Sequence, residues 1–419
     1  MAYLQIEQSP PLRGTVRVGG SKNAVLPILA ATLLTEHECV IQDVPGLTDV
    51  FVMQNIIEDF GGTTRWDTRR ETMTVAARDI AKREVSFELA GRMRASFLVM
   101  GPVLARCGEI RAPLPGGCAI GTRPIDQHLK GFAAMGADIT QEHGYVRAAA
   151  RRLTGATVYL DFPSVGATEN IMMAAVLAEG QTVIQNCANE PEVVDLAQFL
   201  NAIGADVRGA GTDTIRISGV RALGGGTHGV IPDRIEAGTF MLAAAATRGE
   251  VVLENIVTDH CKAITAKLRE ANVRVEDCGG GLCVCGTEEA KAVDVKTLPY
   301  PGFPTDMQAQ FMGFLTMTRG SGIVIETVFE NRFMHVGELK RMGADIKIDS
   351  RSAVVEGIPR LTGTQVRATD LRAGAALVVA GLAAEGVTEV RDVFHIDRGY
   401  SGFDEKLRRL GAKIVRVEE

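Results

Sequence analysis

Aromatic side chains are scarce: one tryptophan, five tyrosines and fifteen phenylalanines serve 419 residues. So few rings leave few platforms on which bases can stack. An excess of basic charge is also missing. With 51 acidic against 45 basic side chains, the net charge of −6 provides no basic face for a general nucleic-acid or anionic-membrane binder. A small anion remains admissible, because it needs only a handful of converging cations. No long apolar run is present near the N-terminus. The longest there, Ala24 to Leu34, is well short of the roughly 18–20 residues that cross a bilayer, and it starts too deep in the chain for a secretory signal. Eight cysteines are too few and too dispersed for a disulfide framework. A soluble cytoplasmic protein of two or three domains is expected.

What is there is a repeat. One phrase recurs six times, as the end of an amphipathic helix running into a strand: IIEDFGGTT, GFAAMGADI, FLNAIGADV, KLREANVRV, ELKRMGADI and KLRRLGAKI. Its turn residues are Gly61, Gly136, Gly204, Asn272, Gly343 and Gly411, spaced 75, 68, 68, 71 and 68 apart. Glycine, or asparagine once, is what a left-handed helix cap requires. A second phrase repeats in register: AVLPILAATLL, ASFLVMGPVLA, NIMMAAVLA, FMLAAAAT, AQFMGFLTMT and AALVVAGLAA, several followed by alternating strands such as TVIQNC and VVLENI. These helices are apolar around most of their circumference and should be buried on all sides. Three repeats about an axis would enclose them and place sheets outside. The fold expected is therefore α/β: two pseudo-threefold domains with apolar helices inside. One domain is expected over 22–230, carrying repeats one to three and the Cys118 loop; the other over 1–21 plus 231–419. The N-terminal strand segments Tyr3–Ile6 and Thr15–Val18 should pair back with the last repeats.

Counting back 14 residues from the turn that closes each apolar helix (His37, Gly108, Gly180, Gly249, Gly320, Gly386) lands on Asn23, Arg94, Gly166, Ile235, Asp306 and Arg372, with Lys22 and Arg234 beside two of them. Polar residues cap helices in any case, which accounts for Asn23 and Asp306. Cations at a helix N-terminus oppose the dipole, so Lys22, Arg94 and Arg372 call for another reason. An anionic ligand held at these helix starts supplies it.

Between a strand of the second repeat and its next helix lies PLPGGCAIGTRP, residues 113–124, a shaped loop with a thiol at its centre. Arg123 stands close enough in sequence to tune Cys118. The other cysteines fit buried, inert positions. Cys278, Cys283 and Cys285 raise the alternative of a metal, but LCVCG aligns with the strand IRISG of the preceding repeat, and strand packing is the expectation; no metal is expected.

The motifs GGSKNAVLPILAATLL, MRAS, LPGGCAIGTRPIDQH, DFPSVGAT, NEPEVVD, PDRIEAGTF, FPTDMQAQF, ETVFENRFMHV, ATDLRAGAAL and HIDRGY, in this order, resemble end to end the family of UDP-N-acetylglucosamine 1-carboxyvinyltransferases. The resemblance implies two inverted, inside-out α/β barrels with the active site in the interdomain cleft. It implies transfer of enolpyruvate from phosphoenolpyruvate to the 3′-hydroxyl of UDP-N-acetylglucosamine, with release of phosphate, as the first committed step of peptidoglycan synthesis. By that analogy Cys118 is the general acid and can attach covalently to phosphoenolpyruvate, and Asp306 accepts the hydroxyl proton or else orients the sugar. Lys22, Arg123 and Arg398 would face the phosphate and the reacting centre, with Lys22 and Arg398 counted as catalytic. Arg332 and Arg372 would hold the carboxylate, and Asn23 would also line the phosphoenolpyruvate site. The UDP-sugar side would comprise Asn23, Arg94, Arg123, Pro124, Ile125, Asp126, Gln127, Ser164, Val165, Gly166, Asp306 and Val328. Phe162 and Thr48 stand where some members have lysine, which alters the charge expected near the nucleotide. No cofactor is implied, and the partners expected are the two small-molecule substrates, with no nucleic acid or membrane. The rival acceptor is shikimate 3-phosphate, used by the sister enzyme of the same fold. A non-catalytic ring or clamp is the rival of another class, and it would line its hole with basic rather than apolar helices.

Overall fold

The computed structural model describes residues 2–114, 120–121 and 124–418. Cys118 and Arg123 lie outside these. The chain divides into two compact units: one contains residues up to Gly19, Ile120 and Gly121, and Pro232 onward; the other contains the described residues of Gly20–Gly117 and Arg123–Ile231. Each has its own hydrophobic core.

Both units are built from the same element. An apolar helix leads to a strand, then to an amphipathic helix, then to a two-stranded hairpin whose second strand pairs antiparallel with the first. In the fourth repeat these are the helix Arg234–Ala246, the strand Glu250–Glu254, the helix Lys262–Glu270 and the hairpin Arg274–Cys278/Gly281–Cys285. All six turn residues between amphipathic helix and hairpin adopt left-handed φ, from 68° at Asn272 to 105° at Gly204. That conformation is costly for a residue with a Cβ, and asparagine is among the few that bear it.

The apolar helices start at Lys22, Arg94, Val165, Arg234, Thr305 and Leu371, the second and fifth through a 3₁₀ turn. Each is at or one residue before the position reached by the count of 14. They are the interior. Leu371–Ala383 is buried from Arg372 to Leu382, and Arg234–Ala246 from Ile235 to Ala245. The amphipathic helices bury a stripe, such as Ile264, Thr265 and Leu268 in Lys262–Glu270, except that Pro191–Ala202 buries eight of its twelve residues.

Six sheets result among the described residues, five of four strands and one of three. In the unit of repeats one to three, Gly226–Gly229 pairs parallel with Cys39–Gln42, so the end of the third repeat returns to the first. In the other unit, Tyr3–Glu7 lies antiparallel between Val387–Arg391 and Ile414–Val417 of the last repeat. Arg13–Arg17, however, pairs parallel with Glu250–Glu254 of the fourth repeat rather than with the last repeats. The reason is topological. Val295–Lys296 and Gln365–Arg367 supply the parallel strand to the sheets of repeats five and six from the chain just before them. The fourth repeat has no predecessor within its unit, and Arg13–Arg17 takes that place. No helix among the described residues is long and apolar enough to cross a membrane.

Candidate active site

The start of the fifth apolar helix carries the densest polar cluster among the sequence-derived candidates. Pro304 leads into the 3₁₀ turn Thr305–Met307 and the helix Gln308–Leu315. Asp306 in that turn receives two guanidinium groups: Arg332 Nη2 donates to Oδ1 at 2.7 Å and Arg372 Nη2 to Oδ2 at 3.2 Å. The arginines are 4% and 2% exposed and the Asp306 side chain 25%. Two buried guanidinium groups share this one carboxylate, with the buried carboxylates of Asp233 and Glu326 also near them, and buried donors of this kind are costly wherever no acceptor meets them. Arg332 Nε and Arg372 Nε and Nη1 are buried without a hydrogen-bond acceptor among the described residues.

The surroundings hold this charge in place. Arg332 Nη1 donates to Thr305 Oγ1 at 2.8 Å, and Thr305 Oγ1 donates to Glu326 Oε2 at 2.8 Å. Glu326 is fully buried and also accepts from Thr297 Oγ1 and the N–H groups of Val328 and Phe329. Arg372 lies over the Tyr400 ring at 5.3 Å. The Tyr400 hydroxyl in turn contacts Thr239 Oγ1 at 2.9 Å and accepts from Gln310 Nε2 at 3.1 Å. Burial alone would push the Arg372 guanidinium down, but Tyr400, Asp306 and Asp233 outweigh it and raise it above the usual range. His335, buried beside Arg332, is pushed down to about 4, by burial first, against the opposing charge of Asp370. Arg398 ends the 3₁₀ turn Val393–Arg398 two residues before Tyr400. A cavity of about 360 Å³ in the same unit is lined by Arg234, His260, Lys262, Tyr300, Pro304 and Met307, at the starts of two apolar helices. Val328 is exposed.

In the other unit, Lys22 opens its helix and its Nζ lies 3.1 Å from Asp49, a buried carboxylate in the first turn of the helix Thr48–Asp59. Asn23 follows it, and Arg94 opens the second repeat's helix. Ser164 caps the helix Val165–Ala175 by accepting from the Ala167 N–H. The helix Asp126–Ala134 follows Pro124 and Ile125. Gln127 is buried, donating to Asp126 and Asp161 and accepting from the Asp161 N–H at 2.9 Å. A Cβ on Gly166 would meet the His128 ring at 3.4 Å. His128 is pushed down to about 4 by burial and then by Arg94. Phe162 and Thr48 are both exposed.

Asp306, Arg332 and Arg372 thus form one directly bonded group, while Lys22 and Asn23, Arg94, residues 124–127 and 164–166 belong to the other unit. Motif reading left out Glu326, Gln310, Tyr400 and Asp49. The first three were within quoted motifs (ETVFENRF, PTDMQAQF, HIDRGY), and a charged or polar residue amid a buried apolar run was the available signal.

A family model described as EPSP synthase (3-phosphoshikimate 1-carboxyvinyltransferase) matches residues 6–407. UDP-N-acetylglucosamine 1-carboxyvinyltransferase 1 of Caldanaerobacter subterraneus subsp. tengcongensis is 61% identical over 98% of both chains. UDP-N-acetylglucosamine 1-carboxyvinyltransferase 2 of Carboxydothermus hydrogenoformans is 58% identical over the whole of both. The enolpyruvyl transferase NikO from Streptomyces tendae superimposes with a TM-score of 0.89 at 27% identity, over 99% of each chain. An EPSP synthase from Acinetobacter baumannii shares the fold at a TM-score of 0.77 and 19% identity. Fold and sequence together define an enolpyruvyl transferase fold of two α/β units. The chain belongs to the EPSP synthase family, and its full-length relatives within it are UDP-N-acetylglucosamine 1-carboxyvinyltransferases.

Proposed function

We infer that this chain transfers the enolpyruvyl group of phosphoenolpyruvate to the 3′-hydroxyl of UDP-N-acetylglucosamine and releases phosphate, in the cytoplasm, at the entry to peptidoglycan synthesis. The observation that carries this reading is end-to-end identity of 51–61% to relatives bearing that acceptor in their names. The chemistry is addition followed by elimination. A proton is added to the methylene of phosphoenolpyruvate, the sugar oxygen bonds to the cationic carbon, and the hydroxyl proton leaves. The tetrahedral adduct then loses a methyl proton and breaks its C–O bond to phosphate, restoring the double bond.

Cys118 is the proposed acid at the methylene, a thiol being able to give and take a proton near neutral pH. Asp306 is the proposed acceptor of the hydroxyl proton. Arg332 and Arg372 would use their spare donors on the carboxylate of phosphoenolpyruvate, where a guanidinium fork matches two oxygens. Lys22, Arg123 and Arg398 would face the phosphate and the reacting centre, and Asn23 would line both the phosphoenolpyruvate and the UDP-sugar sites. Arg94, residues 124–127, Ser164, Val165, Gly166 and Val328 would bind the nucleotide sugar, with the N–H groups of residues 164–166 on its diphosphate.

Phosphate release should require UDP-N-acetylglucosamine and be absent with shikimate 3-phosphate; the reverse dependence overturns the acceptor. Cys118→Ala should abolish turnover while UDP-sugar binding survives, and full activity in that variant would remove the thiol from the mechanism.

A further inference from the structure

The two cysteines expected in strand packing do lie in a strand, but not on its buried face. In Gly281–Cys285 the alternation turns Leu282 and Val284 inward, and Cys283 and Cys285 share the outer, half-exposed face. Their sulfurs lie 3.8 Å apart. The strand Glu250–Glu254 runs alongside with Glu250 opposite Cys285, and its carboxylate completes a group whose ligand atoms all lie within 4.8 Å of one another. No other such group of three occurs among the described residues.

The sulfur spacing is informative. Two thiolates bound at about 2.3 Å to one tetrahedral ion stand roughly 3.8 Å apart, the separation found between Cys283 and Cys285. A disulfide would need the sulfurs at about 2.05 Å, so the arrangement fits a shared ion better than a bond. Two thiolates and one carboxylate around a divalent cation leave one net negative charge. Arg274, on the neighbouring strand, has Nη2 3.2 Å from Cys285 Sγ and is placed to balance it. Soft sulfur ligands with one oxygen select zinc-class ions over magnesium or calcium.

We propose that Cys283, Cys285 and Glu250 form a binding site for one zinc-class divalent ion on the outer face of this sheet, outside the substrate-binding residues. The ion cross-links the strands Glu250–Glu254 and Gly281–Cys285 and leaves a fourth coordination position to solvent.

Cobalt(II) serves as the probe, added to reduced full-length protein in a Cys118→Ala background so that the loop thiol cannot contribute. One ion per chain should bind with a sulfur-to-cobalt charge-transfer band in the near ultraviolet, and zinc should displace it. Cys283→Ser and Cys285→Ser should each abolish the band, and Glu250→Gln should weaken binding roughly tenfold or more. No band in the parent protein, or an equal band in either serine variant, overturns the proposal. A measurement free of variants gives a second decision: zinc should protect Cys283 and Cys285 from alkylation, read by peptide mass spectrometry. Equal labelling with and without zinc overturns it as well.

Discussion

At the scale of single residues, Asp306 governs the cluster because each of its oxygens carries a guanidinium. Asp306→Asn keeps the shape and removes the charge, leaving Arg332 and Arg372 buried with no shared counter-ion. Stability should fall by about 2 kcal/mol, below the usual cost of breaking a buried pair because the carboxylate is partly exposed. Turnover should fall by roughly a hundredfold or more if the carboxylate moves a proton. Denaturant titration and steady-state kinetics read the two effects separately, and unchanged turnover would reduce Asp306 to a structural counter-charge. His128 supplies a pH effect of definite sign. Its folded value of about 4 lies below the 6.5 of an exposed histidine, so the unfolded chain binds the proton first as pH falls. The stability it contributes is fully present above 6.5 and is lost toward 4, by up to about 3 kcal/mol. His335 acts in the same direction. The urea midpoint should therefore drop between pH 7 and 4.5, and less steeply in His128→Gln; identical slopes would contradict this.

At the scale of elements, two glycines stand seven residues into the second apolar helix of each unit, Gly101 and Gly313, counted from Arg94 and Asp306. A Cβ on Gly101 would lie 2.6 Å from Asn170 Oδ1 and would overlap the Asn170 backbone carbonyl; on Gly313 it would stand 3.2 Å from the Ala376 carbonyl. The Gly101 N–H also donates to Asn170 Oδ1 at 2.6 Å, and Asn170 Nδ2 donates to the Phe97 carbonyl and meets His128 Nδ1. Gly101→Ala must push two buried helices apart or break this network. A loss of about 3 kcal/mol is expected, with Gly313→Ala costing clearly less. Thermal denaturation of both variants checks the order. Elements of this kind were legible in the sequence wherever a local rule decided them. The left-handed turns announced themselves as Gly or Asn, and the helix starts fell within one residue of a fixed count. The partner of Arg13–Arg17 was not legible, because it depends on which sheet lacks a parallel strand, a fact of topology rather than of the segment. The outward turn of Cys283 and Cys285 was missed for a related reason. Alternation fixes that they share a face but leaves open which face is buried. The pairings of Asp306 with two arginines, and of Lys22 with Asp49, join residues distant in sequence whose local context carries no trace of the partner.

At the scale of the whole molecule, the chain leaves one unit after Gly19 and, apart from Ile120 and Gly121, returns to it only at Pro232, so the second unit is an insertion in the first. Leu4 and Ile6 are fully buried and Tyr3–Glu7 occupies an interior position of its sheet. Deleting residues 1–8 should expose the edges of Val387–Arg391 and Ile414–Val417 and open the core beneath them. The truncated protein is expected to lose cooperative unfolding and to aggregate; a soluble variant with an unchanged midpoint would show the strand to be dispensable. The same pairing orders events during synthesis. The inserted unit has all its described strands once Gly229 has emerged, and it can close while translation continues. The opening strand must wait for Ile414–Val417, some four hundred residues downstream. At about 5–20 residues per second that delay is on the order of tens of seconds. Tyr3–Glu7 thus leaves the ribosome long before the strands that enclose it, and through that interval the fold does not shelter its apolar side chains.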